Sequence, residues 1–308
     1  MTSKMTPESN SRRDFVTRSV ASLSALAVVP CLSKEAAACP TAKHGKSHHS
    51  GHEQCDMAGP HLGEEFMFNP RKKLLGISNR AKQLWPVIYV DTKNLKDNVE
   101  RDIERSFEGG ADAVVLELGK DPAPLAKALE HARVKYPKAK IGVNYLGGDQ
   151  DPYGYLTGFR LAKEIGLDIV WTDFCGVDKV QELPEISLQE IESHRIDSAF
   201  YVSGVHMKYG TLIDTNKPVE KSALQALGWV DAVIITGPKT GIPTDPQRAV
   251  RVRQAIGNYP LGAASGVSDE NFHTIGANVD FCLVNTSISD AEHRIIMSKV
   301  KALRKVMG

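Results

Sequence analysis

Asp91, Glu117, Asn144, Asp173, Lys208 and Ser265 each stand at or just beyond the end of a short apolar run, with Thr236 and Thr286 close to two further runs. Their types allow three kinds of chemistry. Lys208 could hold an anion, neutralise an enolate or form an imine with a carbonyl. Asp173 or Glu117 could exchange a proton with the same substrate. Asp91, Glu117 and Asp173 together could hold Mg²⁺ or Mn²⁺, which prefer oxygen ligands, so a divalent metal is a possible cofactor. Sequence leaves all three uses open. The same residues could also cap helices or join structural networks, and His206, two positions before Lys208, reads as a packed histidine one layer deeper.

A second group of residues suits an oxyanion. Thr236-Gly237-Pro238-Lys239-Thr240-Gly241, Ser265-Gly266-Val267-Ser268-Asp269 and Asn285-Thr286-Ser287 follow the last three apolar runs. Glycine permits close backbone approach, hydroxyls donate, and a helix start presents free N–H groups. Gly237, Thr240, Gly241, Ser265, Gly266, Val267, Thr286 and Ser287 are therefore the expected binding residues for a phosphate-like group. The plainer alternative is a set of tight turns, with Ser268 or Asp269 as an ordinary N-cap.

Both groups need a scaffold that brings the ends of many strands together. Strand-like and helix-like stretches alternate along the chain: 85–91 and 94–109, 113–118 and 123–136, 140–146 and 155–165, 168–174 and 188–195. The second half continues with 199–205 and 219–227, 231–236 and 246–256, 261–265 and 270–275, 280–285 and 291–306. Near-continuous apolar strands alternating with helices describe a parallel sheet covered by helices. Eight such units in about 220 residues predict closure into a (β/α)8 barrel over residues 80–308, with its ligand over the carboxyl ends of the strands. An open doubly wound sheet is the rival, but Asp91-Thr92-Lys93-Asn94 is unlike the glycine-rich loop expected after its first strand. Gly-x-Asp lead-ins at 110–112 and 166–168, and Gly228-Trp229-Val230-Asp231, read as turns at the opposite, stable end of the barrel.

Residues 1–38 read as a signal rather than fold. Arg12 and Arg13 precede an uncharged segment, 19–31, and small residues follow at 36–38 before Cys39. A positive start, a short apolar centre and a small-residue cut site make a secretory signal, and adjacent arginines favour the twin-arginine route and its export machinery. The apolar segment is too short for a span of about 20 residues, so no transmembrane segment is expected in the mature chain. A periplasmic or otherwise exported protein follows. Residues 39–79 form a His- and Gly-rich flexible segment and lead-in, where His44, His48, His49 and His52 could bind a soft or borderline metal.

The chain has 38 Lys and Arg against 37 Asp and Glu. Losing residues 1–38 removes five basic and three acidic residues and leaves 33 against 34, a net of −1. That balance, without a dense basic run, gives no reason to expect nucleic acid as a partner. Cysteines are too few and too scattered for a disulfide scaffold, and Cys175 and Cys282 fall in apparent core strands.

Val233-Ile-Ile-Thr-Gly-Pro-Lys-Thr-Gly241 and Pro260 through Asn271, with Ser265-Gly266-Val267, resemble the BtpA/SgcQ family of barrel proteins. The resemblance covers most of residues 80–290. Val205-His206-Met207-Lys208 is similar to that family's valine-x-lysine-histidine strand end, with His and Lys in the other order. Asn285-Thr286-Ser287-Ile288-Ser289 lacks the glycine and lysine of the family's last strand end. The resemblance implies the barrel and adds a non-catalytic assembly or stabilising factor as an alternative. The expected function is an exported barrel binding a small phosphorylated or anionic metabolite, with lyase, isomerase or aldolase-like proton chemistry open to it.

Overall fold

The computed structural model describes residues 69–90 and 95–308. The expected signal, the histidine tract and Asp91 lie outside these residues.

Eight parallel strands form a closed barrel in sequence order. They are β1 (Gln83–Tyr89), β2 (Val114–Leu118), β3 (Ile141–Tyr145), β4 (Ile169–Thr172), β5 (Phe200–Gly204), β6 (Ala232–Thr236), β7 (Leu261–Ala264) and β8 (Phe281–Val284). Closure is made by β1 against β8, with Gln83 opposite Phe281 and Pro86 opposite Val284. Ahead of the barrel stands α1 (Pro70–Ile77). Then α2 (Leu95–Glu108), α3 (Pro122–Lys135), α4 (Tyr155–Ile165), α5 (Leu188–His194), α6 (Val219–Ala226), α7 (Pro246–Ile256), α8 (Phe272–Ile275) and α9 (Met297–Met307) each follow a strand. Asp121, Ser187 and Asp245 cap α3, α5 and α7 through their side chains. These caps occupy helix N–H groups that have no partner within the helix.

Strand alternation divides the core in two. Leu84 and Ile88 of β1 join the larger apolar layer under the helices, while Trp85 and Val87 join a smaller cluster that fills the barrel. Trp85 stacks on Phe281 with ring centroids 4.2 Å apart. Gly262 makes this possible, because a Cβ there would sit 2.4 Å from the Phe281 ring. The barrel's amino-terminal end is closed by α1, whose buried Leu74 belongs to the interior cluster. Gln83 holds that helix by donating to the carbonyls of Leu74 and Ser78 at 2.9 and 2.8 Å. Sequence periodicity did not reveal α1, because one buried leucine in eight residues leaves no apolar stripe.

The Gly-x-Asp lead-ins lie at this end and form part of a fourfold pattern. Asp112, Asp168, Asp231 and Asp280 precede β2, β4, β6 and β8. Each carboxylate accepts from the backbone of the preceding odd strand, at Leu84, Ile141, Tyr201 and Leu261. Each also pairs with an arginine: Arg133, Arg195 and Arg253 come from the helical segment before that odd strand, and Arg304 from the last helix, which closure brings beside β1. Every two-unit quarter of the barrel is thus locked by one buried or half-buried ion pair.

Two expected elements differ at the other end. The fifth strand stops at Gly204, and the chain turns back through His206, whose φ is +47°. Met207 then packs over Gly204, where a Cβ would lie 2.1 Å from its sulfur. Lys208 therefore sits on a loop rather than in line with the strand, and alternation from His206 does not apply to it. The last helix begins at Met297 because residues 286–296 form a short 3-10 turn and a loop, held by Ile296 N–H donating to Ile288 O at 2.8 Å. No helix among the described residues is long and apolar enough to cross a membrane.

Candidate functional site

Parallel pairing aligns Tyr89 with Glu117, Glu117 with Asn144, and Asn144 with Trp171 across the first four strands. Glu117 and Asn144 are buried inside the barrel near its carboxyl-terminal mouth. Asn144 Nδ2 donates to Glu117 Oε2 at 3.1 Å and reaches Asp173 Oδ1 at 3.5 Å. One carboxamide therefore orients two carboxylates, one buried and one half-exposed. Asn144 Oδ1 and Trp171 Nε1 are buried without a hydrogen-bond partner among the described residues. A buried polar atom left unpaired costs about 1–3 kcal/mol, and these two belong to residues paired across neighbouring strands. No group of three metal-ligating side chains forms among the described residues. Asp91, the third carboxylate of the metal reading, lies outside them.

Lys208 belongs to a second group, over β5 to β7. Its Nζ donates to Ser265 Oγ at 2.5 Å, and its backbone N–H donates to Thr236 Oγ1 at 3.2 Å. Tyr209 and Ser265 have φ of +69° and +79°, a region that costs a non-glycine residue energy and that recurs at functional sites. A cleft of about 390 Å³ opens here, lined by Lys208 with His206, Thr236 and Gly237. Glu117, Asn144 and Asp173 are not among its lining residues, so the predicted residues come together as two groups.

His206 is held by a buried bracket. Its Nε2 lies 3.1 Å from Ser222 Oγ, which donates to Asp178 Oδ1 at 2.5 Å, and Lys217 Nζ reaches the same oxygen at 3.0 Å. Burial lowers the His206 pKa, and Asp178 opposes that shift. The serine stands between the acid and the imidazole and is fully buried, so the three do not form a nucleophile-and-base relay, in which the base lies between. The side chain is packed against α6, but it is half-buried and lines the same cleft as Lys208 rather than lying a layer deeper.

The late loops converge as expected, and much of their glycine serves to pack one loop on another. A Cβ on Gly237 would lie 2.0 Å from Ile242 O, and one on Gly266 would lie 2.2 Å from Pro243 N. Gly241, with φ of +78°, comes against the Thr286 methyl. Ser287 Oγ donates to Val267 O at 2.5 Å, and Thr240 Oγ1 bonds Tyr209 Oη at 2.9 Å. Val267 buries its side chain in the layer under the helices. The residue before α8 is Asn271 rather than Ser268 or Asp269. Its side chain instead ties the loop together, accepting from Ser268 N–H and donating to Gly266 O.

Two features escaped the sequence. Arg248 and Arg251 of α7 line the Lys208 cleft, and their i, i+3 spacing behind the sixth strand was the available signal. His293 lies in the loop read as a helix, with Nδ1 3.1 Å from Asn285 Oδ1 and its ring 5.0 Å from Tyr89.

No family model matches the chain, and no curated protein matches it. Solved structures do resemble it. The alpha subunit of tryptophan synthase from Legionella pneumophila is 13% identical over 77% of this chain and 97% of its own, with a TM-score of 0.53. Phosphoribosyl anthranilate isomerase from Thermus thermophilus is 13% identical over 73% and 98%, with a TM-score of 0.51. A structure described as native KDPGal is 16% identical over 72% and 93%, with a TM-score of 0.50. At such identities the likeness carries the (β/α)8 fold, and function has to be argued from the site.

Proposed function

We propose that the barrel mouth binds a small phosphorylated or otherwise anionic metabolite and carries out proton chemistry of the lyase, isomerase or aldolase-like kind. The observation that carries this reading is the pair of unpartnered atoms, Asn144 Oδ1 and Trp171 Nε1, beside two carboxylates at the mouth of the barrel. A hydroxyl or carbonyl-derived group of a ligand would supply the missing partners, and Asp173 or Glu117 would exchange its proton. Lys208 would attract the anionic part from the opposite side of the mouth. The likeness to barrel enzymes, among them a synthase subunit and an isomerase, is compatible with this reading. Arg12 and Arg13 with the uncharged segment behind them support an exported protein.

A thermal-shift and calorimetric screen of phosphorylated metabolites tests the reading. A ligand should raise the melting temperature, bind more weakly to the Lys208→Met variant, and keep its affinity but lose turnover in Asp173→Asn. Tight binding without turnover over a broad panel would support a non-catalytic binding or assembly role, which the BtpA/SgcQ resemblance implies. No shift from any anionic compound would overturn the proposal.

A further inference from the structure

The cleft over β5 and β6 is unlike the rest of the mouth in charge. Lys208, Arg248 and Arg251 line it, His206 closes one side, and Asp245 is the single carboxylate in its wall. That carboxylate is already engaged, because Asp245 Oδ1 accepts from Gln247 N–H at 3.0 Å as the cap of α7. Arg251 reaches Glu220 only at 3.7 Å, with about half its side chain exposed. Arg248 donates to Thr236 O at 2.9 Å, and no carboxylate of the described residues forms a salt bridge with it. Its guanidinium is half-buried beside another arginine; burial and Arg251 weigh against its charged form, and Asp245 and Asp178 only partly offset them. An anion would relieve all of these at once.

We infer that this cleft is the anion grip of the barrel and that it takes a phosphate-class dianion, held by the forked N–H groups of Arg248 and Arg251 and by the Lys208 ammonium. The inference rests on the reading of the mouth as an anion-binding site and places the grip over β5 and β6, away from the loops that follow β7 and β8. Gly237, Gly241 and Gly266 then serve loop packing, while Lys208 bridges the grip to Ser265. The substrate class becomes a phosphate monoester whose remaining part extends over the barrel mouth.

Titration of the full chain with inorganic phosphate, followed by calorimetry and ³¹P line broadening, tests this apart from any turnover. Phosphate should bind saturably, sulfate should compete and chloride should not. Arg248→Met should weaken binding at least about tenfold, as expected for loss of a charge-assisted hydrogen bond. Because Arg248 also holds Thr236 O, Arg251→Met provides the check free of that framework bond, and it should weaken binding severalfold with an unchanged circular dichroism spectrum. Wild-type affinity in both Arg251→Met and Lys208→Met would overturn the inference. So would loss of binding in Thr286→Val with Arg248→Met unaffected, because the grip would then lie in the late loops. If the wild type binds no phosphate the cleft is not the grip, yet a hit in the metabolite screen would still support the broader reading. Phosphate binding that depends on Arg248, with no metabolite bound or turned over, would support the grip and overturn only the proton chemistry of the broader reading.

Discussion

Changing Asp231 to Asn should destabilise the barrel most among its four equivalent carboxylates. Asp231 is fully buried and accepts from Arg195 Nη2 at 2.6 Å and from Tyr201 N–H at 2.8 Å, while Lys73 Nζ lies 3.3 Å away. Only 4% of the Arg195 side chain is exposed. An amide would still accept from Tyr201, but the guanidinium would lose its counter-charge where water cannot replace it. Breaking a buried pair in this way costs about 3–5 kcal/mol. At Asp168 the partners Asp168 and Arg133 are 20% and 19% exposed, and Lys140 also contributes. Water partly rehydrates that arginine, so Asp168→Asn should cost roughly 1–2 kcal/mol. For a domain of this size 1 kcal/mol corresponds to roughly 2–4 °C, so the melting temperature should fall by roughly 6–20 °C in one variant and 2–8 °C in the other. Urea and thermal unfolding followed by far-ultraviolet circular dichroism would measure both. Arg195→Met added to Asp231→Asn should recover part of the loss, since it removes the stranded charge. An equal or larger loss in Asp168→Asn would refute the argument from burial.

Asp102 of α2 is buried, and that burial pushes its pKa up to about 6 although Arg294 and the Ile295 N–H oppose the shift. The folded state therefore holds this proton more tightly than the unfolded chain. Its contribution is present below about pH 4 and is lost as pH rises through about 6. Relative to wild type, Asp102→Asn should gain about 2 kcal/mol between pH 4 and pH 7, and a pH-independent difference in unfolding free energy would exclude this. Burial also raises the Cys175 and Cys282 thiols to about 12. Iodoacetamide at pH 8 should leave both unmodified in the native protein and alkylate both in guanidinium, as mass spectrometry of their peptides would show. Changing Arg12 and Arg13 together to Lys should trap the precursor in the cytoplasm on cell fractionation, and an unchanged exported fraction would end the twin-arginine assignment.

The barrel was legible because parallel strands covered on both sides leave a local trace: short apolar runs, such as Val114–Leu118 and Ala232–Thr236, separated by helices of ordinary length. The lead-in aspartates could be read as turns at the barrel's base. Their arginine partners could not, because an ion pair such as Arg304 with Asp112 joins residues 192 positions apart. The site divides in the same way. Glu117, Asn144 and Asp173 could be named from the strand ends, and their mutual contact follows from the parallel register that closure imposes. Lys208 could be named but not placed. The early stop of β5 depends on Met207 packing over Gly204, and the Lys208 bond to Ser265 spans 57 residues. Arg248 and His293 became visible only when separate loops met at the mouth. Sequence alone determined the repeating strand-and-helix pattern, because periodicity and turn chemistry act over a few residues. Tertiary structure decided which charges share a cleft and which polar atoms stay unpaired, because those depend on distances between segments with no local signature.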